Sequence, residues 1–342
     1  MKNYHFKISN FAWIVSIGLL LMVFLGASIS VAEMPKKLKI ATILATGPDE
    51  PWDGALLEAL KIVKAEKPYG LEINDPVYSE GVWGDSAEAV AKLYAKKGFD
   101  IVWLHSTYSD QVKKLMNKYP KTLFVVVGSG NQGLGKNQYW VYMRGHEPAY
   151  IQGIVSGMMT KSNILGAVAS FPADDVYDAI NSFIMGAESV NTNVKRKVSF
   201  IESWYDPPKA KETANAQFSA GADNILMISA AFESCTENKI FCHGYYKDWL
   251  SMAPDSIMTS LTISWVPHLR WVIDEWVKAK AAGKPFNGNM EPKWFSMAEG
   301  GSDIVLSDKL PADVKQKAML AKQQILAGSL AVPLITTPIA SN

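Results

Sequence analysis

From Leu38 onward the chain alternates two textures. Short runs are apolar almost throughout: "LKIATILA" at 38–45, "DIVWLHS" at 100–106 and "TLFVVVG" at 122–128. Between them lie longer stretches whose apolar residues recur at helical spacing: Asp53 to Lys67, "GDSAEAVAKLYAKKG" at 84–98, and Asp110 to Lys118. Asp85 or Ser86 is placed to cap the second of these helices and Gly98 to stop it. The rhythm then restarts. A helix over "AYIQGIVSGMMTK", with small residues spaced for close packing, leads to a strand at "ILGAVAS". A helix over Val176 to Val190 and a strand at "KVSFIES" follow. "PPKAKETANAQFSAG" is a helix opened by Pro207 and Pro208, a position that suits the fixed φ of proline. "NILMIS", "KIFCHGYY" and "SIMTSLTISW" are three more strands.

Strands that are apolar throughout, rather than on alternate positions, belong in parallel sheets covered on both faces. Two sets of such units predict an α/β chain of two doubly wound parallel-sheet lobes. Lobe one is expected over 37–144 plus about 267–295, and lobe two over 145–264 plus about 300–342. The connecting strands are expected near Arg144, near Trp265 and close to residue 300.

Ligands of doubly wound sheets sit beyond the carboxyl ends of the strands. The segments there read "TGPDEPW", "HSTYSD", "GSGNQG", "SFPADDVY", "SWYDPP", "SAAFES" and "GYYKDW". Most carry an aromatic ring, which suits a flat, weakly charged ligand held by stacking and a few hydrogen bonds. The candidates are Trp52, Tyr108, Phe171, Trp204, Phe232, Tyr246 and Trp265, with Asp53, Glu147 and Asp206 as polar partners. Several carry a second, structural reading. Trp52 is either a stacking platform or a lid on the core. Asp53 either meets a ligand or caps the helix it opens, and Glu147 either meets a ligand or favours a helix N-terminus. Trp83, Trp103, Trp271 and Trp276 are assigned to packing, and His105 and His243 to satisfying backbone groups.

Residues 1–32 read as an address rather than as fold. Lys2 and Lys7 precede the apolar stretch "FAWIVSIGLLLMVFLG", and small residues lead to Ala32, the expected cut of a secretory signal. The alternative is an uncleaved anchor, for which the stretch is short. No cysteine lies at the cut, so the product is expected to be released, unlipidated, into the periplasm. Removing Lys2 and Lys7 from the 34 basic residues leaves 32 against 33 acidic ones, which argues against a nucleic-acid partner. Cys235 and Cys242 either bridge or remain buried thiols. No metal-ligand spacing or nucleotide-cradling loop occurs, and no cofactor is implied.

Five stretches together resemble a known family: "PWDGALLEAL", "RGHEPAYIQGIVSG", "DAINSFIMGAESVN", "SWYDPPKAKETANAQFSAGAD" and "APDSIMTSLTISW". They are similar to the basic membrane protein family of substrate-binding proteins, which serve ABC importers and have the type I periplasmic-binding fold. The resemblance covers residues 37–330. It implies a non-enzymatic, monomeric receptor that binds a purine base or nucleoside between its lobes and presents it to an ABC permease. In that family an aromatic followed by Asn precedes the first helix, and here Trp52 and Asp53 hold those places. Trp52 resembles the subgroup that binds free adenine. Trp204 and Asp206 match the family's aromatic-x-Asp-Pro loop, and Glu147 lies where the chain first crosses between lobes. Three departures bear on ribose binding. Tyr246 replaces the acid of the family's "GVDSD" loop, Ile263 stands near its Lys, and "GSGNQG" lacks its Asp. A base is therefore expected over a riboside. A sensing subunit without transport and a secreted nucleoside hydrolase are the alternative functions. For the hydrolase, "PADD" and "GPDE" are the only dense acidic spots, and both read as turns before helix caps.

Overall fold

A computed structural model describes Met1 and residues 35–342. The signal segment at 1–32 lies outside the described residues apart from Met1. The described chain opens with β1 (Lys37–Leu38), β2 (Ile40–Leu44), α1 (Pro51–Glu66), β3 (Glu72–Ile73), β4 (Val77–Ser79) and α2 (Gly84–Lys96). Next come β5 (Ile101–His105), α3 (Ser109–Leu115), β6 (Leu123–Val127) and β7 (Gln138–Met143). A second series follows: α4 (His146–Met159), β8 (Ile164–Ala169), α5 (Asp174–Glu188), β9 (Lys195–Phe200), α6 (Pro207–Ser219) and β10 (Asn224–Met227). It closes with α7 (Phe232–Asn238), β11 (Phe241–Gly244) and β12 (Ile257–Ile263). The chain then returns through α8 (Val266–Ala282) and β13 (Lys293–Phe295), and ends with β14 (Ser302–Leu306) and α9 (Ala312–Leu326).

Two six-stranded sheets result. The first has the order β13-β7-β6-β5-β2-β4 and is parallel throughout. The second has the order β14-β12-β11-β10-β8-β9, with only β14 antiparallel. Strands β2, β5 and β6 are buried at every position, as apolar runs between two helical layers must be. Trp103 and Trp276 are fully buried in the first lobe's core, and Trp271 packs partly buried against it.

Three crossings join the lobes, after β7, after β12 and after β13, and hydrogen bonds lace them together. Arg144 N donates to Phe295 O at 3.0 Å, Ser264 N to Gly301 O at 3.0 Å, and Ser302 Oγ to Arg144 O at 2.9 Å. Cys235 and Cys242 are joined as a disulfide, with Cα atoms 6.2 Å apart, between α7 and β11.

Some element ends differ from the periodicity, each for a local reason. α1 begins at Pro51 because the Glu50 carboxylate accepts from Asp53 N and caps it. α2 is capped at Trp83, while Asp85 and Ser86 sit inside its first turn. β11 stops at Gly244, short of "YY", because Tyr246 turns to φ 73°, a left-handed conformation that costs a bulky residue about 1 kcal/mol or more. His243 is bonded to side chains rather than to backbone: Ser156 Oγ at 2.6 Å and Thr259 Oγ1 at 2.8 Å.

The small residues of α4 serve the close approach expected of them. A Cβ built on Gly153 would fall 1.8 Å from Phe183 O of α5, and one on Gly186 would fall 1.9 Å from Tyr150 O of α4. Only glycine fits such a contact. Gly153→Ala should therefore destabilise the protein by about 1–3 kcal/mol in denaturant unfolding, the usual cost of overpacking. An unchanged midpoint would contradict this account of the helix pair.

Candidate functional site

Between the two sheets, at the carboxyl ends of their strands, lies a cavity of about 70 Å³. Lobe one contributes Thr46 after β2, Trp52 and Asp53 from the first turn of α1, His105 at the end of β5 with Ser106 and Thr107 after it, and Gly128 and Ser129 after β6. Lobe two contributes Ser170 after β8, Asp175 from the first turn of α5, Trp204 after β9, Ile228 after β10 and Tyr246 after β11. Glu50, Trp83, Ala45 and Val127 complete the lining.

The turn before α1 determines where Trp52 points. Glu50 caps the helix, accepting from Asp53 N at 2.9 Å. Asp53 does not cap; its Oδ2 reaches back to the end of β2, accepting from Thr46 N at 2.9 Å and Thr46 Oγ1 at 2.6 Å. His105 is fully buried beneath the turn. Its Nδ1 accepts from Trp103 Nε1 at 3.0 Å, and its Nε2 donates to Trp52 O at 3.2 Å. His105 thus satisfies a backbone group, and burial holds its pKa down to about 3, so the ring is neutral. Its ring stacks on Trp52, centroids 5.3 Å apart and planes at 29°. Trp265 and Tyr246 meet Trp52 edge-on at 4.8 and 5.6 Å. Trp52 is half-buried: it leans on the lobe-one core and also lines the cavity.

The structure gathers four of the sequence candidates, Trp52, Asp53, Trp204 and Tyr246, around one cavity. The other six stand elsewhere. Phe171 backs the Trp204 ring at 5.0 Å. Tyr108 is buried and donates to Val82 O at 2.6 Å. Phe232 is buried in lobe two against Trp249, and Trp265 is fully buried beneath Trp52. Glu147 lies in the hinge, where its carboxylate accepts from Met297 N at 2.7 Å. Asp206 caps α6, accepting from Lys209 N at 3.0 Å. Trp83, expected in the core, is 42% exposed and lines the cavity, because it directly precedes α2, which starts at the cleft rim.

The electrostatics of the lining are one-sided. Burial, together with the neighbouring Asp53, pushes the Glu50 carboxyl up to about 8, so it is largely protonated at neutral pH. Burial raises Asp53 to about 6, against the opposing pull of its Thr46 hydrogen bonds. Burial, aided by Asp174, also raises Asp175 to about 6. Among the described residues the lining holds no Lys or Arg. Such a chamber accepts hydrogen-bond donors and disfavours anions.

Comparison with known proteins agrees with this geometry. Residues 38–333 match the family of PnrA-like ABC transporter substrate-binding proteins. The chain belongs to that family. A purine-binding protein of Brucella abortus is 30% identical over 251 residues, covering 72% of this chain and 69% of that protein. A candidate glucose-binding protein of an ABC transporter in Haloferax volcanii is 27% identical over 261 residues, covering 75% of this chain and 64% of its own length. An ABC transporter solute-binding protein from Conexibacter woesei superposes with a TM-score of 0.65 at 17% identity, covering 87% of this chain and 99% of that one. The two-lobed α/β architecture is thus that of solute-binding proteins, and this substrate-binding protein places its cavity between the lobes.

Glu50, Trp83 and Asp175 were not among the sequence candidates. Glu50 and Asp175 stand in "GPDE" and "PADD", which read as turns before helices, and Trp83 carries no flanking signal that separates a rim from a core. Glu50 offers a direct check. A carboxyl whose folded pKa is raised holds its proton more tightly folded than unfolded, so its neutral form is stable at low pH and stability falls as pH rises toward 8. The ligand-free protein should lose about 1 kcal/mol of unfolding free energy between pH 7 and pH 8, above the range of Asp53 and Asp175. Glu50→Gln keeps a capping oxygen and should flatten that slope. A variant that keeps the wild-type slope would contradict the assignment.

Proposed function

We propose that this substrate-binding protein captures a purine base in the interlobe cavity, outside the cytoplasmic membrane, and presents it to an ABC permease. The observation that carries the reading is that Trp52 of lobe one and Trp204 of lobe two line the same interlobe cavity, whose described lining offers hydrogen-bond acceptors and no Lys or Arg. A planar ring inserted there is stacked from both sides, while polar groups of both lobes reach its edges. The purine-binding name of the Brucella relative supports the same ligand class.

The protein binds its ligand unchanged, as a monomer. Lobe one, 37–144 with about 267–295, and lobe two, 145–264 with about 300–342, close as two bodies about the three crossings. Among the described residues no helix is long and apolar enough to cross a membrane. A free base is preferred to a riboside because the chamber is small and Tyr246 stands where the family's nucleoside binders carry an acid.

The reading is tested by mass spectrometry of the small molecule that co-purifies, followed by calorimetry with purine bases, their ribosides and glucose. A base should bind more tightly than its riboside, and glucose should not bind. Trp52→Ala should weaken base binding roughly 5- to 150-fold, from a stacking contribution of about 1–3 kcal/mol. Glucose binding without base binding would overturn the purine assignment. Unchanged base affinity in the folded Trp52→Ala protein would retire Trp52 as a platform.

A further inference from the structure

Trp83 stands where a helix normally carries a capping residue, and it caps nothing. The position before a helix favours Ser, Thr, Asp or Asn, whose side chains accept from the first N–H groups. Trp83 makes no such bond to α2. Its backbone is extended, at φ −132° and ψ 160°, and Gly84 follows at φ 53°, a left-handed turn that glycine takes without strain. The chain therefore swings abruptly into the helix and leaves the indole at the rim.

The segment beneath that ring is firmly held. Gly81 N donates to Thr46 O at 2.7 Å and Val82 N to Leu44 O at 3.2 Å, which ties the segment to the end of β2. The buried Tyr108 donates its hydroxyl to Val82 O at 2.6 Å, and its ring backs the Trp83 indole, centroids 5.9 Å apart and planes at 38°. Ser86 Oγ donates to Trp83 O. An indole mounted so firmly, yet left 42% exposed on a cavity wall, is an apolar surface without a cover. Large exposed apolar surface is the informative exception on a protein. A ring fixed in advance also suits binding, because little freedom is lost on contact.

Depth in the cleft indicates what covers it. Trp52 is half-buried, with His105 and Trp265 behind it, and forms the inner wall. Trp83 on the same lobe, and Trp204 at 37% exposure on the other, stand nearer to solvent. A single six-membered ring stacked on Trp52 fills the inner part of the cavity. A second, fused ring extends outward to Trp83.

We infer that Trp83 is a third ligand-contacting ring, an outer wall that makes the cavity select a fused two-ring heterocycle over a single ring. The inference rests on the purine reading and deepens it: Trp52 recognises that the ligand is flat, and Trp83 how far it extends. Covering the indole removes apolar surface from water and adds an aromatic contact, and a ligand too short to reach it gains neither. The bonds that place Trp83 all lie within lobe one, so lobe one itself makes the discrimination.

The test uses adenine, and 4-aminopyrimidine as its six-membered ring alone. Calorimetry, with displacement titration for the weaker probe, compares wild type, Trp83→Ala and Trp83→Phe. Trp83→Ala should bind adenine about tenfold more weakly, and Trp83→Phe, which keeps a ring, within about threefold of wild type. 4-Aminopyrimidine should bind, or fail to bind, all three proteins alike. Thermal unfolding without ligand establishes that each variant measured is folded. Unchanged adenine affinity in Trp83→Ala would overturn the inference. So would equal weakening of both probes, the result of a displaced inner wall rather than a lost contact. Either result leaves the purine reading standing. If wild type binds no purine base, that reading falls and the inference falls with it.

Discussion

The site depends on the short bracing of the turn between β2 and α1. Asp53 ties the first turn of the helix back to Thr46, Glu50 caps the helix through Asp53 N, and His105 supports Trp52 from below. These bonds hold half of an indole in the core and leave the rest in the cleft. The bracing is tight because its members are buried: a neutral His105 and a largely protonated Glu50 are what this low-dielectric setting permits.

The second lobe meets that platform with different means. Trp204 is held by Phe171, and Tyr246 is aimed at Trp52 by a strained backbone turn just past β11. Such strain persists only where the surroundings over-determine it. Here the Tyr246 carbonyl accepts from Ile263 N at 3.1 Å, which fixes the turn to β12. The hinge is built separately, from the laced crossings near Arg144, Ser264 and Gly301, with Glu147 bonded to Met297. The cavity lining and the laced crossings therefore draw on different residues.

The architecture was legible in the sequence because its signal is redundant. Wholly buried strands such as β6 are apolar throughout, and helices α1 and α2 show one apolar face each. The site was legible only in part. Segments after strands do line the cavity, yet an aromatic at such a place can turn inward as readily as outward. Tyr108 and Phe232 turned inward, while Trp83 turned outward. Composition does not encode that choice; it follows from where each helix starts. The acids were harder still. Glu50 and Asp175 open helices, where carboxylates are ordinary, and their burial against the opposite lobe comes from tertiary closure that no local pattern records.

The central claim is that a planar ligand is held between Trp52 and Trp204 in the interlobe cavity. A crystal structure of the protein with its co-purifying ligand tests this most directly. The account predicts a ring inside the interlobe cavity, lying against the Trp52 indole. A ligand bound outside the interlobe cavity, or one inside it that does not touch the Trp52 ring, would contradict it.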